Sequence, residues 1–139
     1  MIGRWALPLA GLLLATGAGA AARDYPVGTG WSRAPDLSVY GALVRASALA
    51  REQEILCAGR NPARVEEDWR EVYAARETWI ADVLTARYGA APVARAAGVQ
   101  VGRISCPTLE SHGWRRHHGR MLRLLELRLY PRDQWRIAS

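Results

Sequence analysis

Residues 61–89, NPARVEEDWREVYAARETWIADVLTARYG, spell out one long helix from its start signal to its stop signal. Asn61 has an oxygen suited to capping the first free N–H groups. Pro62 follows at the first helical position, where a missing N–H costs nothing. Glu66, Glu67 and Asp68 place negative charge near the positive end of the helix dipole, and Gly89 ends the run. At 100° per residue, Val65, Trp69, Val72, Tyr73, Ile80, Val83 and Leu84 form one continuous apolar face. A single charged residue, Arg76, falls at the centre of that face.

Upstream, residues 36–57 predict a helix capped by Asp36 or Ser38 and stopped by Gly59. Its stripe is Leu37, Tyr40, Val44, Ala48 and Ile55, with Arg51 lying inside it. Downstream, residues 90–97 have room for a short helix after Pro92. Val99, Val101 and Ile104 then suggest an extended passage into Cys106 and Pro107. A third long helix is expected from Thr108 or Ser111 to about Tyr130, with Pro131 just beyond. Trp114, Met121, Leu122, Leu125 and Leu129 share its apolar face, and His118 sits among them.

Cys57 and Cys106 are the only cysteines, so a single intramolecular pairing exists. That bond requires the end of the first helix to meet the start of the third within about 7 Å between Cα atoms. The second helix climbs roughly 40 Å away from this point, at 1.5 Å per residue. The chain must therefore return before the third helix begins. The second and third helices then run parallel to each other and antiparallel to the first. The expected fold class is all-α: a small three-helix bundle with one crossover connection, room for a short fourth helix at 90–97, and one disulfide staple.

The N-terminus carries an address. Arg4 supplies a positive start, residues 7–15 are apolar apart from Pro8 and Gly11, and 18–20 and 20–22 both fit a small-x-small cleavage pattern. The apolar run is too short to span a bilayer and has no stop-transfer sequel, so residues 1–22 read as a signal peptide, either cleaved after Ala20 or Ala22 or retained. Residues 23–35, with Pro26, Gly28, Gly30 and Pro35, form an irregular lead-in in which Tyr25 and Trp31 are the large apolar groups. Residues 36–139 form one helical domain. The expected location is the periplasm or the exterior, where a structural disulfide forms; the absence of C-x-x-C argues against a thioredoxin-like site.

All 19 basic residues are arginine, set against 13 acids. GC-rich codon usage explains that bias before function does, yet arginine keeps its charge at any pH and grips carboxylate or phosphate with two N–H groups. The charge is uneven: residues 36–88 hold seven arginines and nine acids, whereas residues 103–139 hold eight arginines and three acids.

Two groups of residues attract a functional reading. Arg51, Arg76 and His118, together with Tyr73, point inward by helical rotation and would line a pocket for an anionic ligand. The structural alternative has the arginine stems packing on the core while their heads pair with Glu52, Glu54, Glu77 or Glu110. Arg116, Arg120 and Arg123 form a basic ridge beside Leu127, which Arg132 and Arg136 extend past Pro131 with Trp135 among them. His112, His117 and His118 are wrongly spaced for a zinc site, so no metal is expected, and no cofactor either. There is no G-x-S-x-G, H-E-x-x-H or glycine-rich phosphate loop. The acids at 66–68 and Glu71 read as a helix N-terminal cluster, not as a carboxylate pair for glycoside cleavage.

The expected function is therefore that of an exported binding protein. Its partner would be an anionic envelope component or another exported protein, with peripheral membrane-surface contact also open. Nucleic acid fits the charge but not the address. A small hydrolase or ligand-binding protein using the inward Arg/His set is the alternative.

Overall fold

The computed structural model describes residues 28–98, 101, 102, 104–110 and 112–130; the expected signal peptide, Tyr25, Arg132, Trp135 and Arg136 lie outside them. Among the described residues every regular element is helical. A 3₁₀ turn at Gly28–Arg33 leads into α1 (Asp36–Leu56), α2 (Pro62–Tyr88), α3 (Ala90–Ala97), α4 (Cys106–Glu110) and α5 (Trp114–Leu129).

The start of α2 works as its sequence demands: the Asn61 Oδ1 accepts hydrogen bonds from the backbone N–H of Ala63 and Arg64, with Pro62 beside it. Gly59 (φ 66°) and Gly89 (φ 92°) turn the chain out of α1 and α2 in the left-handed region that favours glycine. No side chain caps α1. Pro35 takes the cap position, and Asp36 instead accepts from the Tyr88 hydroxyl and the Arg128 guanidinium. The expected single third helix is two helices, α4 and α5, parted around His112 and Gly113. The described positions between α3 and α4 carry no strand, although Val101 and Ile104 pack against the core as they pass.

Long-range pairs fix the directions. Arg51 near the end of α1 binds Glu66 near the start of α2, while Tyr88 at the end of α2 reaches Asp36 at the start of α1. Arg115 at the start of α5 binds Glu54 near the end of α1, and Arg128 near the end of α5 returns to Asp36. Thus α2 and α5 are parallel to each other and antiparallel to α1. Cys57 and Cys106 are joined, their Cα atoms 5.4 Å apart.

The hub is α1, which packs against α2, α3, α4 and α5. One core layer unites Val39, Leu43, Ile80, Leu84, Val93, Leu122, Leu125 and Leu129; a second, beside the disulfide, unites Ala46, Leu49, Ala50, Trp69, Leu109 and Trp114. Each fully buried leucine contributes about 1.5–3 kcal/mol of apolar transfer.

The centre of the α1 face differs from the expected stripe. Val39, Ala42, Leu43, Ala46, Leu49 and Ala50 are buried, while Leu37, Val44 and Ala48 are only half-buried on the flank. Alanine, valine and leucine surround α1, so a helix touched from several sides has no single stripe to read. On α2, Val72 proves 52% exposed, at the edge of the face assigned to it.

The disulfide closes a loop with 49 residues of sequence separation, and chain entropy makes it worth about 4 kcal/mol. The double variant Cys57→Ser/Cys106→Ser should lose that amount in urea denaturation. A loss below about 1 kcal/mol would show that the reduced chain already holds these ends together.

Candidate functional site: an arginine face on the last helix

Of the set expected to point inward, His118 is buried and Arg51 and Tyr73 are half-buried, but Arg76 is exposed. The face of α2 that packs is centred on Val65, Trp69, Ile80 and Leu84, which leaves Arg76 off it. All four are engaged within the fold. Arg51 binds Glu66 through Nη1 at 2.8 Å and donates from Nε to the Ser47 carbonyl at 3.2 Å. Arg76 grips Glu126 through Nε and Nη2, and that two-point contact is the first cause of a guanidinium pKa above its usual value. These partners are not the ones expected from the sequence: Glu66 and Glu126 replace Glu52, Glu54 and Glu110. His118 is fully buried and does meet Glu77, 2.6 Å from its Nε2. A carboxylate only accepts, so Nε2 carries the hydrogen.

Around His118 stand Trp69 and Tyr73, with ring centroids 4.7 and 4.6 Å away. Arg51 and Arg115 lie over the Trp69 ring at 5.8 and 5.9 Å, within the range where a cation is drawn to an aromatic face. Burial and then the Glu77 charge push the nearby Tyr40 hydroxyl above its ordinary pKa of 10.0. Tyr73 and His118 thus meet between α2 and α5, with Arg51 across Trp69, while Arg76 crosses separately to Glu126. The contacts form an interhelical brace; of these four residues only His118 has a buried side-chain atom, Nδ1, with no hydrogen-bond partner among the described residues.

Two arginines that sequence reasoning did not single out complete this brace. Arg115 binds Glu54 and reaches the Tyr73 hydroxyl at 3.4 Å; Arg128 donates to the carbonyls of Trp31, Ser32 and Ala34. The signal was present in helical rotation. Arg115 and Arg128 stand about 80° and 60° either side of Leu125, on the borders of the buried face where long side chains cross to a neighbour.

Arg116, Arg120 and Arg123 are placed oppositely. They are exposed, within about 40° of the direction facing away from Leu125, and join in no ion pair among the described residues. Leu127 and Tyr130 continue the same strip at 52% and 43% exposure, and Tyr130 lies against Trp79 of α2 at 4.9 Å. The expected ridge is present over these positions, and its extension to Arg132 and Arg136 lies outside the described residues.

Among the described residues no group of three or more His, Cys, Asp or Glu is placed to hold a metal. An open cleft of about 240 Å³ beside the disulfide is lined by Gln53, Glu54, Cys57, Glu110 and Arg115, among others. Glu54, its best-placed acid, is shared between Arg60 and Arg115.

His117 is 3% exposed between Trp31 and Trp114. Burial, then the charge of Arg120, lowers its pKa from 6.5 to about 4. Below pH 6.5 the unfolded chain takes up this proton and the folded chain does not, so stability present above that pH is lost as pH falls toward 4. The wild-type protein should lose roughly 3 kcal/mol more than His117→Gln over that window in urea denaturation, and equal losses would show that folded His117 protonates freely.

No protein-family model, curated protein or solved structure matches this chain, so the arginine face stands on its geometry alone.

Proposed function

We propose that this is an exported, disulfide-stapled helical protein that works by binding, and that Arg116, Arg120 and Arg123 on the outer face of α5 take an anionic component of the cell envelope. One observation carries the reading. Arg51, Arg60, Arg76, Arg115 and Arg128 each hold a carboxylate of the fold, whereas three arginines on successive turns of one exposed face hold none among the described residues. Like charges at i and i+4 repel by a few tenths of a kcal/mol, so Arg116 next to Arg120 is a small cost to the isolated helix. An anionic partner converts that cost into binding energy.

Two features support the compartment: residues 1–22 have the n-region, apolar run and small-residue end of a signal peptide, and Cys57 is bonded to Cys106. Among the described residues no helix is long and apolar enough to cross a membrane.

The test is sedimentation of the native protein with washed envelope fragments of the producing cell. Wild type should co-sediment and be released by salt, as exposed charge pairs are. Arg116→Glu/Arg120→Glu should stay in the supernatant while its thermal midpoint moves by no more than about 2 °C, because neither side chain supports the core. Equal sedimentation of both proteins, or failure of wild type to sediment, would refute the reading.

A further inference from the structure

Within this face, Gly119 is out of place as a structural residue. It sits inside α5, where glycine weakens a helix relative to alanine. A Cβ built on it would meet nothing within 4 Å, and its φ is not positive, so neither packing nor backbone shape calls for glycine. What surrounds it is distinctive. Its neighbours at three and four positions either way along the helix are Arg115, Arg116, Leu122 and Arg123. Leu122 is buried beneath and Arg115 is held by Glu54 and Tyr73, while Arg116 and Arg123 are uncommitted on either side of the gap. Their Cα atoms are about 10 Å apart along the axis, so two guanidinium arms can close over a group resting on the glycine.

We infer that the bare backbone at Gly119, between Arg116 and Arg123, seats the phosphate of an anionic phospholipid headgroup, and that the α5 strip lies on a lipid surface. This rests on the anionic-partner reading above and names the partner. Charge complementarity and planar two-point donation favour a phosphate.

The remainder of the strip favours lipid over an acidic protein or polymer. Past the arginines the same face turns apolar, with Leu127 and Tyr130 exposed and Tyr130 stacked beside Trp79. On α2, Val72 shares a side with Trp79, seven residues on, and is 52% exposed. Cations for headgroups next to aromatic and aliphatic groups for the interfacial region are what a peripheral lipid contact requires.

The experiment uses native, oxidised protein purified from the producing cells and floated with vesicles. Phosphatidylglycerol vesicles should carry wild type and phosphatidylcholine vesicles should not. Each arginine removed from the strip should weaken binding by about fivefold. Gly119→Leu, a better helix former in open space, should raise the thermal midpoint yet bind phosphatidylglycerol about tenfold more weakly; Gly119→Ala should also be more stable and fall between the two.

Undiminished flotation of Gly119→Leu would overturn the seat at Gly119. If wild type sediments with envelope fragments through Arg116 and Arg120 but ignores phosphatidylglycerol vesicles, the lipid assignment falls and the anionic-partner reading stands. If it binds neither, both fall.

Discussion

The Cys57–Cys106 bond holds the end of α1 against the start of α4, and the placement of the last helix follows from that join. Because α2 leaves Cys57 and climbs the length of the bundle, the chain has to turn over at α3 and descend before it reaches Cys106. The last helix then starts at the same end as α2 and runs parallel to it. Arg115 falls opposite Glu54, and Arg128 reaches the first turn of α1. The second core layer, built on Leu109, Trp114 and Trp69, fills the space beside the staple.

Once α5 is set in that orientation, its arginines divide by rotation. Those bordering the buried face cross to a neighbouring element and are neutralised there, by Glu54 for Arg115 and by Asp36 with three backbone carbonyls for Arg128. Arg76 makes the equivalent crossing from α2 to Glu126. Exposed and half-exposed pairs of this kind contribute about 0–1 kcal/mol each, so their value lies more in fixing helix register than in total stability. Arg116, Arg120 and Arg123 point the other way and contribute nothing to register. The proposed binding role rests on what this face carries: uncommitted charge, a glycine with no packing reason, and exposed Leu127 and Tyr130.

Much of the fold was legible because its signals are local. Asn61, Pro62 and Gly89 delimit α2 within the chain itself, and Gly89 also marks the start of α3, which begins at Ala90 and carries Pro92 inside its first turn rather than ahead of it. The helical topology followed from two cysteines and a helix length. The α1 face was not legible, since small apolar residues surround that helix and only its neighbours decide which side is deepest. The split of the third helix was also missed: the periodicity of Trp114 to Leu129 is strong, but an unbroken helix would place Leu109 about 160° from Leu125, off the face those residues share. Ion-pair partners resist sequence reading for a further reason. Arg76–Glu126 and Arg115–Glu54 span 50 and 61 residues, and charges brought together only by packing leave no spacing to find. The ridge on α5 was readable because it needs no partner from the fold.

The central claim is that this bundle sorts its arginines into committed and free sets. Arginine-specific labelling with a dicarbonyl reagent, read peptide by peptide by mass spectrometry on the native protein, tests it most directly. Arg116, Arg120 and Arg123 should react at rates close to those in the unfolded chain, while Arg76, Arg115 and Arg128 should lag by about two- to fivefold, since each must first release its carboxylate or carbonyl. Uniform reactivity, or protection of Arg116, Arg120 and Arg123, would contradict the account.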